Sequence, residues 1–198
     1  MWVAVTIAYH LASRLAYVLW VGITLTRQRR RQVITRAMGV DAGFAWFRRR
    51  ASLLMANDAA SFVLLCVATR QHLQAGIPRT LSWGVSGLLI IVGIGTKAWA
   101  ARTLGREAYY WHNFFGPEKP AAFASPGPYR YLDNPMYTVG YLQAYGLALA
   151  VGSLPGVALA VFDQCAILSF HRLVEHPHYQ ELVRTAASRS PASPAAIP

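Results

Sequence analysis

Apolar positions in this chain do not recur at every second or third residue. They gather into long runs, and the charged residues gather between the runs. A helix needs about 20 mostly apolar residues to cross a bilayer, and runs near that length fall at about 1–25, 52–73, 81–101, 137–153 and 155–173. The pattern predicts an all-α integral membrane protein of about five transmembrane helices, a single membrane domain over 1–185. The remaining stretch, 186–198, reads "AASRSPASPAAIP", small-residue and proline-rich, and is expected to be a disordered tail.

The first run has no basic residue ahead of it and carries His10 and Arg14 inside it, and Arg27, Arg29, Arg30 and Arg31 follow it. That is the arrangement of a retained span rather than a cleaved leader. The fourth run would reach about 25 Å as a helix, slightly less than a hydrocarbon core. "GSLPG", 152–156, then turns the chain with two glycines and Pro155, so the last two runs form a C-terminal helical hairpin. Its two ends bring "GPYRYLDNPMY" (127–137) and "RLVEHPHYQEL" (172–182) back to one side of the membrane.

Composition supports the membrane reading: 55% of the 198 residues are hydrophobic, 14% are charged, and the mean hydropathy is +0.29. The net charge of +11 raises nucleic acid as a partner. The distribution argues otherwise. Arg27, Arg29, Arg30, Arg31, Arg36, Arg48, Arg49 and Arg50 lie between the first two runs, and Arg102, Arg106, Lys119 and Arg130 between the third and fourth. Only Arg70 and Arg79 lie between the second and third, and the hairpin turn has none. Basic residues thus alternate with the spans, which predicts an N-terminus outside and a cytoplasmic C-terminus, with some attraction for anionic lipid heads. No nucleic-acid-binding motif is present. Cys66 and Cys165 each sit inside a run without a C-x-x-C partner, so neither a disulfide framework nor a metal site is expected.

The paired polar segments carry a resemblance. Asp133, Asn134, Pro135, Met136, Tyr137 and Gly140, then the hairpin, then Glu175 and Pro177, resemble the C-terminal signature of the small membrane methyltransferases. That group includes phosphatidylethanolamine N-methyltransferases and isoprenylcysteine carboxyl methyltransferases, and the likeness is closer to the phospholipid enzymes. It covers about residues 90–182. "YYWHNFF", Tyr109 to Phe115, is similar to an aromatic run that precedes the signature in some members.

The resemblance implies S-adenosylmethionine as cofactor, an active site facing the cytoplasm, and phosphatidylethanolamine and its methylated forms as lipid partners. It assigns donor binding to Gly93 and Gly95 of "VGIG", to Asn134, Pro135, Met136, Tyr137 and Gly140, and to Glu175 and His176. Acceptor contact falls to Tyr110, Trp111, His112 and Tyr141. Many members have two consecutive glutamates where this chain has Glu175-His176, so Glu175 alone would supply the carboxylate. Glycines in an apolar helix also let helices pack closely, and that reading stands beside donor binding for Gly93 and Gly95.

The chemistry can be stated independently of the resemblance. Methylating an amine is a direct displacement that requires alignment, exclusion of water and loss of the ammonium proton. Glu175, His112, Asp133 and Tyr137 are candidate proton acceptors, of which Glu175, His112 and Tyr137 are the favoured catalytic residues. The alternatives are methylation of another amphiphile, such as a prenylcysteine carboxylate, and a nicotinamide-dependent sterol or lipid reductase with a related Pro-Tyr hairpin. Arg14 and Asp163 lie near the middle of the first and fifth runs and are expected to form a structural ion pair. Lys97 is expected to snorkel towards the interface.

Overall fold

The computed structural model describes residues 2–73, 78–116 and 127–189. Helix α1 (Trp2–Arg31) ends at Gln32, which takes a left-handed conformation, and a short α2 (Val33–Met38) leads through Gly39 into α3 (Val40–Ala68). Helix α4 (Arg79–Tyr109) is broken at Gly105, whose φ of 79° and ψ of 164° interrupt the helical ladder. Short 3-10 turns at His112–Phe114, Gly127–Arg130 and Val139–Tyr141 precede α5 (Leu142–Ala150). Helix α6 (Leu154–Phe170) passes through a π-helical segment, His171–Glu175, into α7 (His176–Arg189). Among the described residues there is no strand.

Four helical stretches are long and apolar enough to cross a membrane: Trp2–Arg31, Val40–Ala68, Thr80–Gly105 and Leu154–Thr185. The run expected as a fourth span, 137–153, takes another form. Its α-helix is nine residues long, about 14 Å at the helical rise. The cause lies upstream: the carbonyls of Asn134 and Pro135 accept from the backbone N–H groups of Thr138 and Gly140 at 3.1 and 2.8 Å, so the chain is still turning at the positions expected to begin the helix.

This short helix packs along α4 through close backbone approaches. A side chain at Gly93 would run into the backbone of Gln143, and one at Gly146 would lie 2.8 Å from the Ser86 carbonyl. Gly140 receives the stem of Lys97. Ser86, Ile90, Gly93 and Lys97 are spaced as one face of α4, which explains why small residues sit opposite them. Gly95 is two residues from Gly93, about 200° round the helix. It falls instead on the bare apolar face with Leu88, Val92 and Trp99, and nothing lies within 4 Å of where its side chain would be.

The hairpin turn is well anchored. Ser153 caps α6 by accepting from the Gly156 N–H at 2.8 Å. Thr69 and Ser153 share a hydroxyl contact of 2.5 Å. The N–H groups of Gln71 and Leu73 donate to the Val151 and Gly152 carbonyls at 3.1 and 2.8 Å. These bonds put the end of α3 beside the hairpin turn, so the far end of α6 lies with the end of α1 and the start of α3. An aromatic core fills that far end, built from Tyr17, Leu25, Phe44, Phe47, Trp111 and Phe170. Helix α7 continues to Arg189, past the expected start of the tail, and residues 190–198 lie outside the described residues.

Inside the spans, Arg14 does meet Asp163, Nε to Oδ1 at 2.9 Å, and it also meets Asp58, Nη2 to Oδ2 at 2.7 Å. His10 bridges Asp163 and Ser61 at 3.1 and 2.8 Å. The expected pair is therefore a network of α1, α3 and α6, in which charges taken from water are held by one another.

Candidate functional site

The π-helical segment and Pro177 belong together physically. Proline has no N–H to donate and its ring crowds the carbonyl four residues earlier, and a π turn directly ahead of it relieves that crowding. The wider turn ends at Glu175, whose carboxylate is only 17% exposed. Helix α6 and the aromatic core hold it from below.

Three side chains from three parts of the chain meet at that carboxylate. Tyr137 donates its hydroxyl to Oε1 at 2.9 Å. The indole N–H of Trp111 donates to the same oxygen. His171, on the same π segment, meets Oε2 through Nδ1 at 2.6 Å. Trp111 reaches the carboxylate because its own backbone is left-handed, with φ 60°, a conformation that a bulky residue adopts only where its surroundings hold it. Its ring is buried edge-on against Phe47 and Phe170.

Asn134 shapes the other half. Its Oδ1 accepts from the Tyr137 N–H at 3.1 Å, and its Nδ2 lies 3.1 Å from Nδ1 of His171. Pro135 is fully buried beneath this turn. Gln164 of α6 supports it by donating to the Tyr137 carbonyl at 3.1 Å, while accepting from the Tyr145 hydroxyl at 2.7 Å. The first motif and the second are thus joined directly.

Of the residues singled out by sequence, the structure brings Trp111, Asn134, Tyr137 and Glu175 into one hydrogen-bonded group. Met136 is half-buried within the same turn and Gly140 lies buried just beyond it. Tyr141 is buried beneath Lys97, whose ammonium is 5.1 Å from its ring centre. His176 is exposed on the turn above, its ring 6.1 Å from that of His171. Tyr110 packs at the edge of the aromatic core, its ring edge-on to Tyr109 at 4.9 Å. His112 is turned to Phe44, edge-on at 4.6 Å, and forms no side-chain hydrogen bond among the described residues. Gly93 is occupied by the α4–α5 crossing, Gly95 faces away from it, and Asp133 is exposed.

The sequence reading missed His171. The signal was available, since a histidine four residues before Glu175 in "HRLVE" shares its helix face. Several buried polar atoms near this end lack partners among the described residues: Tyr129 Oη, Asn113 Oδ1 and His178 Nδ1. The phenol of Tyr129 is pushed above its ordinary pKa by burial and then by the charge of Glu175, which keeps it protonated and able to donate. His178 stacks on Phe114 at 3.8 Å and donates from Nε2 to the Asn113 carbonyl at 3.1 Å, leaving Nδ1 as an acceptor.

Comparison with known proteins gives this cluster a context. The model of the phospholipid methyltransferase family matches residues 82–185, more than half of the chain, and encloses every residue of the Glu175 group. A phosphatidylethanolamine N-methyltransferase of Aspergillus flavus is 28% identical over 146 residues, covering 72% of this chain and 15% of the relative. Those of Neosartorya fischeri and Aspergillus clavatus are 30% and 29% identical, over 68% and 76% of this chain and 14% and 17% of their own lengths. The chain therefore spans only about one-seventh of the length of the curated relatives it matches. No solved structure matches it. With the motif halves joined at one carboxylate and the match running through both, the chain belongs to the phospholipid methyltransferase family.

Proposed function

We propose that the chain catalyses S-adenosylmethionine-dependent N-methylation of the phosphatidylethanolamine headgroup, towards phosphatidylcholine, at the cytoplasmic membrane face. The observation that carries this reading is the 2.9 Å bond between Tyr137 and Glu175, which makes one site of two motifs 38 residues apart within the family-matched region. The names of the relatives support the acceptor.

The residues present fit the methyl donor. A carboxylate offers about four acceptor positions and Glu175 uses three of them within the chain. Its charge favours a cationic sulfonium or amino group beside it. The unpartnered acceptors Asn113 Oδ1 and His178 Nδ1 and the donor Tyr129 Oη are the kind of unmet capacity that a nucleoside's amine and hydroxyls satisfy. Glu175, Tyr137 and the Asn134–Tyr137 turn would hold the donor, whereas Gly93 is filled by the α4–α5 crossing and Gly95 lies on the opposite, bare face of α4. When bound, S-adenosylmethionine supplies an electrophilic methyl group. The chain's contribution is alignment, exclusion of water by the Trp111–Phe170 aromatic core, and removal of the amine proton.

The cytoplasmic face is supported by charge. Gln28 at the arginine-rich end of α1 donates to the Phe114 carbonyl at 3.3 Å, which puts the site at the end of the molecule that carries Arg27–Arg31 and Arg48–Arg50. The test is incubation of the purified protein in phosphatidylethanolamine bilayers with methyl-labelled donor, followed by lipid identification. Label in mono- to trimethylated headgroups is the expected result; label confined to another amphiphile overturns the acceptor.

A further inference from the structure

We propose that His171 is the residue that takes the proton from the headgroup ammonium, with Glu175 holding its ring in the required tautomer. This rests on the N-methylation reading above.

The argument starts from Glu175. Its Oε1 already accepts from the Trp111 indole and the Tyr137 hydroxyl, which leaves Oε2 as the oxygen that meets His171. The 2.6 Å contact of Oε2 with His171 Nδ1 needs a hydrogen between the two atoms. That hydrogen belongs to Nδ1. The imidazole is then a donor at Nδ1 and a bare lone pair at Nε2. A carboxylate fixing one ring nitrogen so that the other is free as a base is a recurring arrangement in proton transfer.

Position agrees with tautomer. Nε2 has no hydrogen-bond partner among the described residues, and the ring is 24% exposed, so a molecule at the site can reach it. Asn134 Nδ2, a donor because its own oxygen accepts from the Tyr137 N–H, lies 3.1 Å from the same Nδ1 and competes for it. The shorter 2.6 Å contact with Glu175 Oε2 is the one that takes the Nδ1 hydrogen, and Tyr137, edge-on at 6.0 Å between ring centres, restricts rotation. The other proton-acceptor candidates are less well disposed. Both oxygens of Glu175 are engaged, Tyr137 is already a donor, and His112 is turned to Phe44.

The step balances simply. An N–H bond of the ammonium breaks with its electron pair left on nitrogen, and the proton bonds to Nε2. The resulting imidazolium lies against the Glu175 carboxylate, which stabilises its charge. The neutral amine then attacks the methyl carbon of the sulfonium donor; the N–C bond forms, and the C–S bond breaks with its pair on sulfur. The imidazolium releases its proton to water at the exposed edge of the ring.

The test uses His171→Asn, because an asparagine amide can replace Nδ1–H as donor to Glu175 but has no second ring nitrogen. Turnover of phosphatidylethanolamine is expected to fall about 100-fold or more, with S-adenosylmethionine affinity by titration calorimetry within about twofold, and added imidazole is expected to restore part of the rate. Nitrogen-15 spectra of the labelled wild-type protein give a readout independent of turnover: Nδ1 of His171 is expected to be protonated and Nε2 bare. Turnover within about threefold of wild type, or a proton on Nε2, overturns the assignment. Should the variant fail to fold, the wild-type spectra still decide. A wild type that methylates no amine lipid overturns the N-methylation reading and this inference with it. An active wild type with an equally active variant overturns His171 alone.

Discussion

Arg14 and Asp163 stand 149 residues apart in sequence and 2.9 Å apart in the fold, Nε to Oδ1, both buried in helices that are apolar enough to cross a membrane. The pair is not closed on itself, because Asp58 takes the other end of the guanidinium at 2.7 Å and His10 holds the other oxygen of Asp163 at 3.1 Å.

That geometry changes what paired mutations should do. Arg14→Leu strands two carboxylates and is expected to cost about 3–5 kcal/mol. An isolated pair would recover in the Arg14→Leu, Asp163→Leu double variant, whereas here Asp58 remains buried without its cation, so recovery is expected only when Asp58→Leu is added. Thermal unfolding in detergent of the single, double and triple variants checks this, and full recovery in the double variant would remove Asp58 from the network.

The two glycines of "VGIG" are expected to separate. A side chain at Gly93 meets the Gln143 backbone, whose Cα would lie 3.0 Å away, so Gly93→Ala should lose about 1–3 kcal/mol as α4 and α5 are forced apart. Gly95→Ala meets open space and should stay within about 0.5 kcal/mol of wild type. Thermal melts rank the two. Donor titration on the stable Gly95→Ala protein then asks whether that open face contacts the donor, with weakened binding at unchanged stability as the positive result.

Glu175→Gln removes the charge and reverses one polarity. The amide oxygen can still accept from Trp111 and Tyr137, but the amide nitrogen would face the Nδ1–H of His171. A stability loss of about 1–3 kcal/mol is expected together with weaker S-adenosylmethionine binding, both measurable on the same sample. Unchanged donor affinity in a folded variant would take Glu175 out of donor recognition.

His112→Ala tests a residue that sequence favoured and the structure turns elsewhere. Its edge contact with Phe44 is worth about 0.5–1.5 kcal/mol, so a modest fall in stability is expected, with turnover reduced less than about tenfold. A loss as large as that expected for His171→Asn would return His112 to the chemistry.

Asn134→Ala should act through shape. The side chain holds the Tyr137 N–H at 3.1 Å and lies against His171, so its removal frees the turn that aims Tyr137 at Glu175. Donor affinity and turnover are expected to fall together, because both halves of the site lose alignment. A variant with normal values for both would show that Pro135 and Gln164 suffice to hold the turn.

What could be read from the sequence was whatever depends on local order along the chain. Runs of apolar residues near the length of a bilayer marked the long helices, because the bilayer sets their length, and "LDNPMY" with "VEHP" marked both halves of the site. Tertiary structure decided the rest. The run at 137–153 became a 3-10 turn and a nine-residue helix because the Asn134–Pro135 turn delays its start and the turn at Val151–Gly152, with Gly152 at φ 68°, ends it, and hydropathy carries no information about such backbone turns. Gly93 and Gly95 were indistinguishable as letters and opposite in the fold, since two positions apart on a helix is about 200°. His10 and Asp58 met their partners only through packing, Asp163 coming to His10 from 153 residues away and Arg14 to Asp58 from another helix. Ion pairs and hydrogen bonds act over about 3 Å, and which atoms come that close is determined by how helices cross, a property of the whole chain that no short window of sequence contains.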